Sequence, residues 1–345
     1  MSIPLAITAT GLITSVGLNS EATCAAIRCA IDNVQETRFM DAGGEWLMAA
    51  EVPLEQPWRG ETKLIKMAVA AINECLEKSG EVVTEEIPLL LCLAESERPG
   101  RVIQDDNQFF LDLQEALQQE FHLKSRIIAM GHVSIAVALQ KAAQLISEEK
   151  VKRVLIASTD SLVVGRTLAA YEEKERLLSS KNSNGFIAGE AGAAIMVEVA
   201  GSQASNQLVC KGIGFGVEKA HVDSEEPLRA DGLVQAVKAA LGEAGCEVVD
   251  VDFRITDLSG GQYSFKEAAL LIGRYLRYKK EELDLWHPAD CIGEVGAAIG
   301  PAIMAVCLMA LQKNYYPGMN ILCHIDNDDG KRAAMMLSYQ RLEAV

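Results

Sequence analysis

Residues 126–160, RIIAMGHVSIAVALQKAAQLISEEKVKRVLIASTD, decide how the rest of the chain is read. An apolar strand runs into a Gly-His turn, an amphipathic helix follows, and a second apolar strand ends at Asp160. This is a strand-turn-helix-strand unit of the α/β kind. In open α/β sheets, the turn that follows a strand is where ligands and nucleophiles are presented. Here it carries His132, so the fold aims an imidazole at a pocket.

The 345 residues are 49% hydrophobic and 23% charged, enough for one large core or two ordinary ones. A net charge of −16 argues against nucleic-acid backbones and anionic membranes and fits a basic partner or simple solubility. The nine cysteines, an odd number, sit mostly in apolar runs such as LLLCL and MAVCLMAL and read as reduced core thiols. No C-x-x-C pair occurs, and the Cys24–Cys29 spacing puts two thiols on different sides of a helix, so no zinc site is expected. GIGFG at 212–216 lacks the third glycine of a dinucleotide cradle and any P-loop lysine. It reads as a strand with close backbone packing, and no cofactor is expected. MSIPLAITAT has no basic segment or cleavage pattern, and the apolar run 295–311 is broken by Gly296, Gly300 and Pro301, so a cytoplasmic location is expected.

Taken in order, 3–14 reads as a strand, and Asn19 or Ser20 caps a short helix. Residues 31–60 read as hairpin and loop, 63–80 as a helix closed by Gly80, 87–94 as a strand covered on both faces, and 104–121 as a helix. After Asp160 come a helix, a polar loop and a strand over 185–199.

The remainder replays this order. LVCKGIGFGVE answers the opening strand, and LVQAVKAALGEAG answers MAVAAINECLEKSG. GEVGAAIGPAIMAVCLMAL answers GHVSIAVALQKAAQLI, MNILCHIDND answers VKRVLIASTD, and AAMML answers AAIMV. The implied fold is a duplicated α/β chain, 1–200 and 201–345, whose halves pack their helices together. In that pairing His132 corresponds to Glu294, and both face the seam.

On these residues the chain resembles the thiolase superfamily, in its β-ketoacyl synthase branch. ITATGLITSVGLNSEATCAAIRCAID is similar to the family's opening, RLLSSKNSNGFIAGEAGAAIMVE to its middle signature, and HPADCIGEVGAAIGPAIMAVCLMAL to its late Gly-His-x-x-Gly-Ala-Ala-Gly segment. The resemblance implies a five-layer αβαβα sandwich and a homodimer. It also implies a site of one cysteine, two histidines and a lysine. At those positions stand His132 for the cysteine, Ser259 and Glu294 for the histidines, and Ala289 for the lysine. Of the closing glycine loop, only Gly330 remains.

An imidazole cannot hold an acyl group through the long-lived thioester that condensation requires. His132 is then either a buried histidine satisfied by Glu294 or a carbonyl, or a general base or hydrogen-bond donor. Glu294 suits the N-terminus of the helix that follows it, and Cys291 with His132 and Glu294 has the composition of a nucleophilic site. Ser134 and Ser259 are further candidates of that kind, and Asp160 reads as a helix cap or turn anchor. Two functions remain open at this point. One is a non-condensing binding or scaffolding protein for an acyl carrier protein, a fatty-acyl ligand or a bacterial secretion-system component. The other is an acyltransferase or thioesterase with a rearranged site.

Overall fold

The computed structural model describes residues 3–201, 206–277 and 280–340. The first run is β1 (Leu5–Ile13), α1 (Ser20–Arg28), β2 (Gln35–Met40), β3 (Trp46–Ala50), α2 (Gly60–Lys78), β4 (Leu89–Leu93) and α3 (Asp106–Leu117). It continues through β5 (Arg126–Ala129), α4 (Ser134–Glu149), β6 (Arg153–Ser161), α5 (Gly165–Glu173) and β7 (Ala188–Val199). The second run is β8 (Gln207–Val217), α6 (Asp231–Ala244), β9 (Phe253–Thr256), α7 (Gln262–Tyr275) and β10 (Leu285–Trp286). It ends with α8 (Ala289–Ile292), α9 (Ile299–Gln312), β11 (Asn320–Asp326) and β12 (Lys331–Gln340). The expected boundary at 200/201 falls beside 202–205, which lie outside the described residues.

The strands lie in the order β5-β4-β6-β7-β1 and β10-β9-β11-β12-β8. Apart from the β2–β3 hairpin, each set has its third, second, fourth, fifth and first strands side by side, and only the fifth runs antiparallel to its neighbours. The two first strands join antiparallel at Leu5–Cys210, Ala6–Val209 and Ile7–Leu208, which links the sheets about a pseudo-twofold axis.

Strand alternation sorts the core into layers. Leu89, Leu91 and Leu93 of β4 face α2 and α3, whereas Leu90 and Cys92 face the middle of the molecule. The middle layer is α4 with α9, and α6 with α7 covers the far side through Leu233, Val237, Leu271, Leu322 and Met336. The result is an α/β fold of five layers, αβαβα. Every residue of α9 except Gln312 is buried because sheets or helices surround it, which explains why 295–311 carries no charged residue. No described helix is long and apolar enough to cross a membrane.

Glycines set the tightest contact. A methyl group at Gly212, Gly214 or Gly216 would run into the carbonyl oxygens of Ala240, Ala236 or Gly232, so α6 rests directly on β8. That is the close packing GIGFG suggested.

Candidate functional site

β5 ends in a tight turn, Gly131–Val133, that leads into α4. Gly131 has φ +62, and a side chain there would meet the Glu95 carboxylate. Ser134 Oγ accepts from the Met130 N–H at 3.1 Å and donates to the Ile128 carbonyl at 3.1 Å, so this serine braces the turn. From the second half, Asn327 donates to the Met130 carbonyl at 2.8 Å and accepts from the Val133 N–H at 3.2 Å.

So held, His132 reaches across the seam between two carboxylates. Its Nδ1 lies 2.8 Å from Asp257 Oδ2 and its Nε2 3.0 Å from Glu294 Oε1. Glu294 is fixed by its backbone, which donates to the Ile187 carbonyl and accepts from the Gly189 N–H, both at 2.8 Å. Its side chain also accepts from the Gly296 N–H at 3.0 Å, and the nearby Ser259 side chain favours its charged form. Glu294 therefore both caps the turn before α9 and pairs with His132. Asp257 Oδ2 also accepts from the Asp326 N–H at 2.9 Å.

The electrostatics follow from burial and proximity. Burial alone would lower the His132 pKa, but the charges of Glu294 and Asp257 outweigh it and hold the imidazole well above 6.5. Burial would raise Glu294, yet His132, aided by Ser259 and the Gly296 N–H, brings it down to about 2. Burial and the Asp257 carboxylate push Asp326 well above the usual carboxylate range. The group at the turn is thus an imidazolium clamped by two carboxylates.

The space in front of it is filled. Arg98 forms a two-pronged ion pair with Asp160 at 2.7 and 2.5 Å, and Tyr171 and Arg176 both bind Asp328, at 3.2 and 2.9 Å. A cavity of about 30 Å³ remains beside His132 and Glu294, comparable to the volume of one water molecule.

Of the residues singled out in the sequence, His132, Glu294 and Ser259 meet. Ala289 is buried at the start of α8. Cys291 lines a separate cleft with Arg28, Trp286 and Tyr315, and burial pushes its thiol up to about 11. Cys29, by contrast, is exposed. Alkylation at neutral pH is expected to label Cys29 at least about tenfold faster than Cys291, because only thiolate reacts and only an accessible thiol is reached. Peptide mass spectrometry over a time course reads both rates, and equal rates would show an activated Cys291.

Three sequence readings change. Asp160 lies inside β6 rather than after it, where it pairs with Arg98 and accepts from the Ala297 N–H at 2.9 Å. Asp257 was missed, although ITDLSGGQ contains it two residues before Ser259; an aspartate closing an apolar strand was the available signal. The late repeat also shifts by three positions. The turn Gly296–Ala298, with Gly296 at φ +55, leads into α9 as Gly131–Val133 leads into α4, so the counterpart of His132 is Ala297 and not Glu294.

No protein-family model matches the chain, and no curated protein matches it. Solved structures do. The ishigamide ketosynthase/chain length factor aligns at TM-score 0.80 and 16% identity, over 98% of this chain and 99% of that one. The ketosynthase ApeO in complex with its chain length factor ApeC, from Xenorhabdus doucetiae, aligns at 0.76 and 13%, over 98% of each chain. A β-ketoacyl synthase from Burkholderia phymatum aligns at 0.76 and 14%, over 99% and 100%. With the repeated strand order and the five layers, these alignments give the chain the thiolase-like fold of the ketosynthases.

Proposed function

We propose that this chain is a β-ketoacyl synthase-like protein that does not condense, and that it acts as a binding or scaffolding partner. The observation that carries this reading is the engagement of both His132 ring nitrogens by carboxylates. An imidazolium held this way has no lone pair to attack a thioester or to take a proton from a nucleophile. The cavity of about 30 Å³ leaves no room there for an acyl chain. A Cys291-dependent acyltransferase or thioesterase is opposed by the position of that thiol in another cleft and by its raised pKa.

Two of the structural neighbours are a ketosynthase together with a chain length factor, which supports a role in pairing. So does β5, an edge strand with Leu123, 95% exposed, just before it. Such an edge is a template for a second chain. In this proposal the chain is cytoplasmic and forms a homodimer. An acyl carrier protein, a fatty-acyl ligand or a secretion-system component is its further partner.

Incubation with acetyl and malonyl carrier thioesters tests the central claim. The expected outcome is no ketoacyl product and no acyl adduct by intact mass. A ketoacyl product would end the proposal.

A further inference from the structure

A second cleft, far larger than the cavity at His132, opens between the two halves. It measures about 480 Å³ and is bounded by the end of α1, by β10 with the segment after it, and by Tyr315. Its floor is apolar, made of Ile27, Val306 and the buried Cys291. Its walls are aromatic and held in place. The Trp286 ring rests on Phe253 at 4.7 Å and is near-parallel to Tyr315, 6.4 Å between centroids. His287 packs edge-on against Phe265 at 5.6 Å and pairs with Asp290 at 2.9 Å. Clefts of this size with an apolar body and a few polar groups are the usual form of small-molecule sites.

The rim holds one uncommitted charge. The Arg28 guanidinium lies 4.3 Å from the centre of the Tyr315 ring and, among the described residues, has no carboxylate partner. As the last residue of α1 it offsets the helix dipole. That role does not require an aromatic cleft beneath it. Of the nearby acids, Asp290 pairs with His287, and the exposed Asp32 accepts from the Val34 N–H at 3.2 Å and makes no ion pair with Arg28. An unpaired cation over an aromatic wall favours a ligand that is flat, apolar and negatively charged at one end, its local attraction acting against the chain's net charge of −16.

We infer that this cleft is a binding site for a small aromatic anion, with its flat body against Trp286 and Tyr315 and its acidic group at Arg28. The inference does not depend on the reading of His132.

The test is a titration with 8-anilinonaphthalene-1-sulfonate, followed by dye fluorescence and by quenching of protein fluorescence. Saturable binding at one site is expected. Arg28→Gln should weaken it by about tenfold, equivalent to about 1.4 kcal/mol. Arg28 is exposed, so this variant should melt as the parent does. Trp286→Leu should weaken binding to a similar extent and remove most of the quenching, since Trp46 and Trp58 line other clefts. The uncharged N-phenyl-1-naphthylamine should bind about tenfold more weakly than the sulfonate if Arg28 supplies the attraction. Non-saturating uptake, or affinity unchanged in Arg28→Gln, would overturn the inference. So would equal binding of the charged and uncharged dyes.

Discussion

His132→Ala is expected to lose about 3–5 kcal/mol of unfolding free energy near pH 6, because it leaves Asp257 and Glu294 as buried carboxylates without their shared cation. The pH dependence identifies the cause. Glu294 titrates at about 2 when folded and near 4.5 when free, so its contribution is present above 4.5 and drains away as the pH falls toward 2. The folded pKa of His132 is raised above its free value of 6.5, so its contribution is complete below 6.5 and is lost as the pH rises through the folded value. The gap between the two proteins is therefore widest between pH 4.5 and 6.5 and narrows on both sides. Urea melts across that range measure it. A gap under about 1 kcal/mol, the scale of an exposed ion pair, or one that ignores pH, would mean the clamp is not charged as described.

A pair of glycine substitutions on opposite sides of one contact should move stability in opposite directions. Gly214→Val drives a branched side chain into the backbone of α6 at Ala236 and Ala240, where no rotamer change can relieve it. Overpacking of this kind costs about 1–3 kcal/mol and more when backbone must shift, so the upper end or outright misfolding is expected. Gly242, on the exposed side of the same helix, has nothing within 4 Å of a would-be methyl. Gly242→Ala should stabilise the protein by about 0.5–1 kcal/mol through helix propensity and a less flexible unfolded chain. Thermal melts of both variants check this. A neutral Gly214→Val would mean that α6 does not rest on β8.

Which elements are covered was legible in the sequence because burial writes itself into periodicity, whereas the five layers came from the family resemblance. Leu89 to Leu93 is apolar without a break where both faces are covered, and the alternating glycines of GIGFG announce a close backbone approach, which the fold supplies with α6. Strand order was less legible, since β1 and β8 meet across some 200 residues of chain and no local pattern encodes that pairing. At the site, residue types on one turn could be read, but their partners could not. His132 finds Asp257 125 positions away, and which strand-ending aspartate it meets depends on how the halves are rotated together. The slip of three in the late repeat has a local cause. Gly293 and Gly296 both have positive φ, and only the second starts a turn that continues into the central helix.

Near the carboxyl end of each half's fourth strand a residue completes the other half's turn: Asp160 receives the Ala297 N–H, and Asn327 receives the Val133 N–H. During synthesis the ribosome releases the earlier turn long before the asparagine that finishes it has been made. The turn in the amino-terminal portion therefore lacks its Asn327 hydrogen bond until the carboxy-terminal portion has been made.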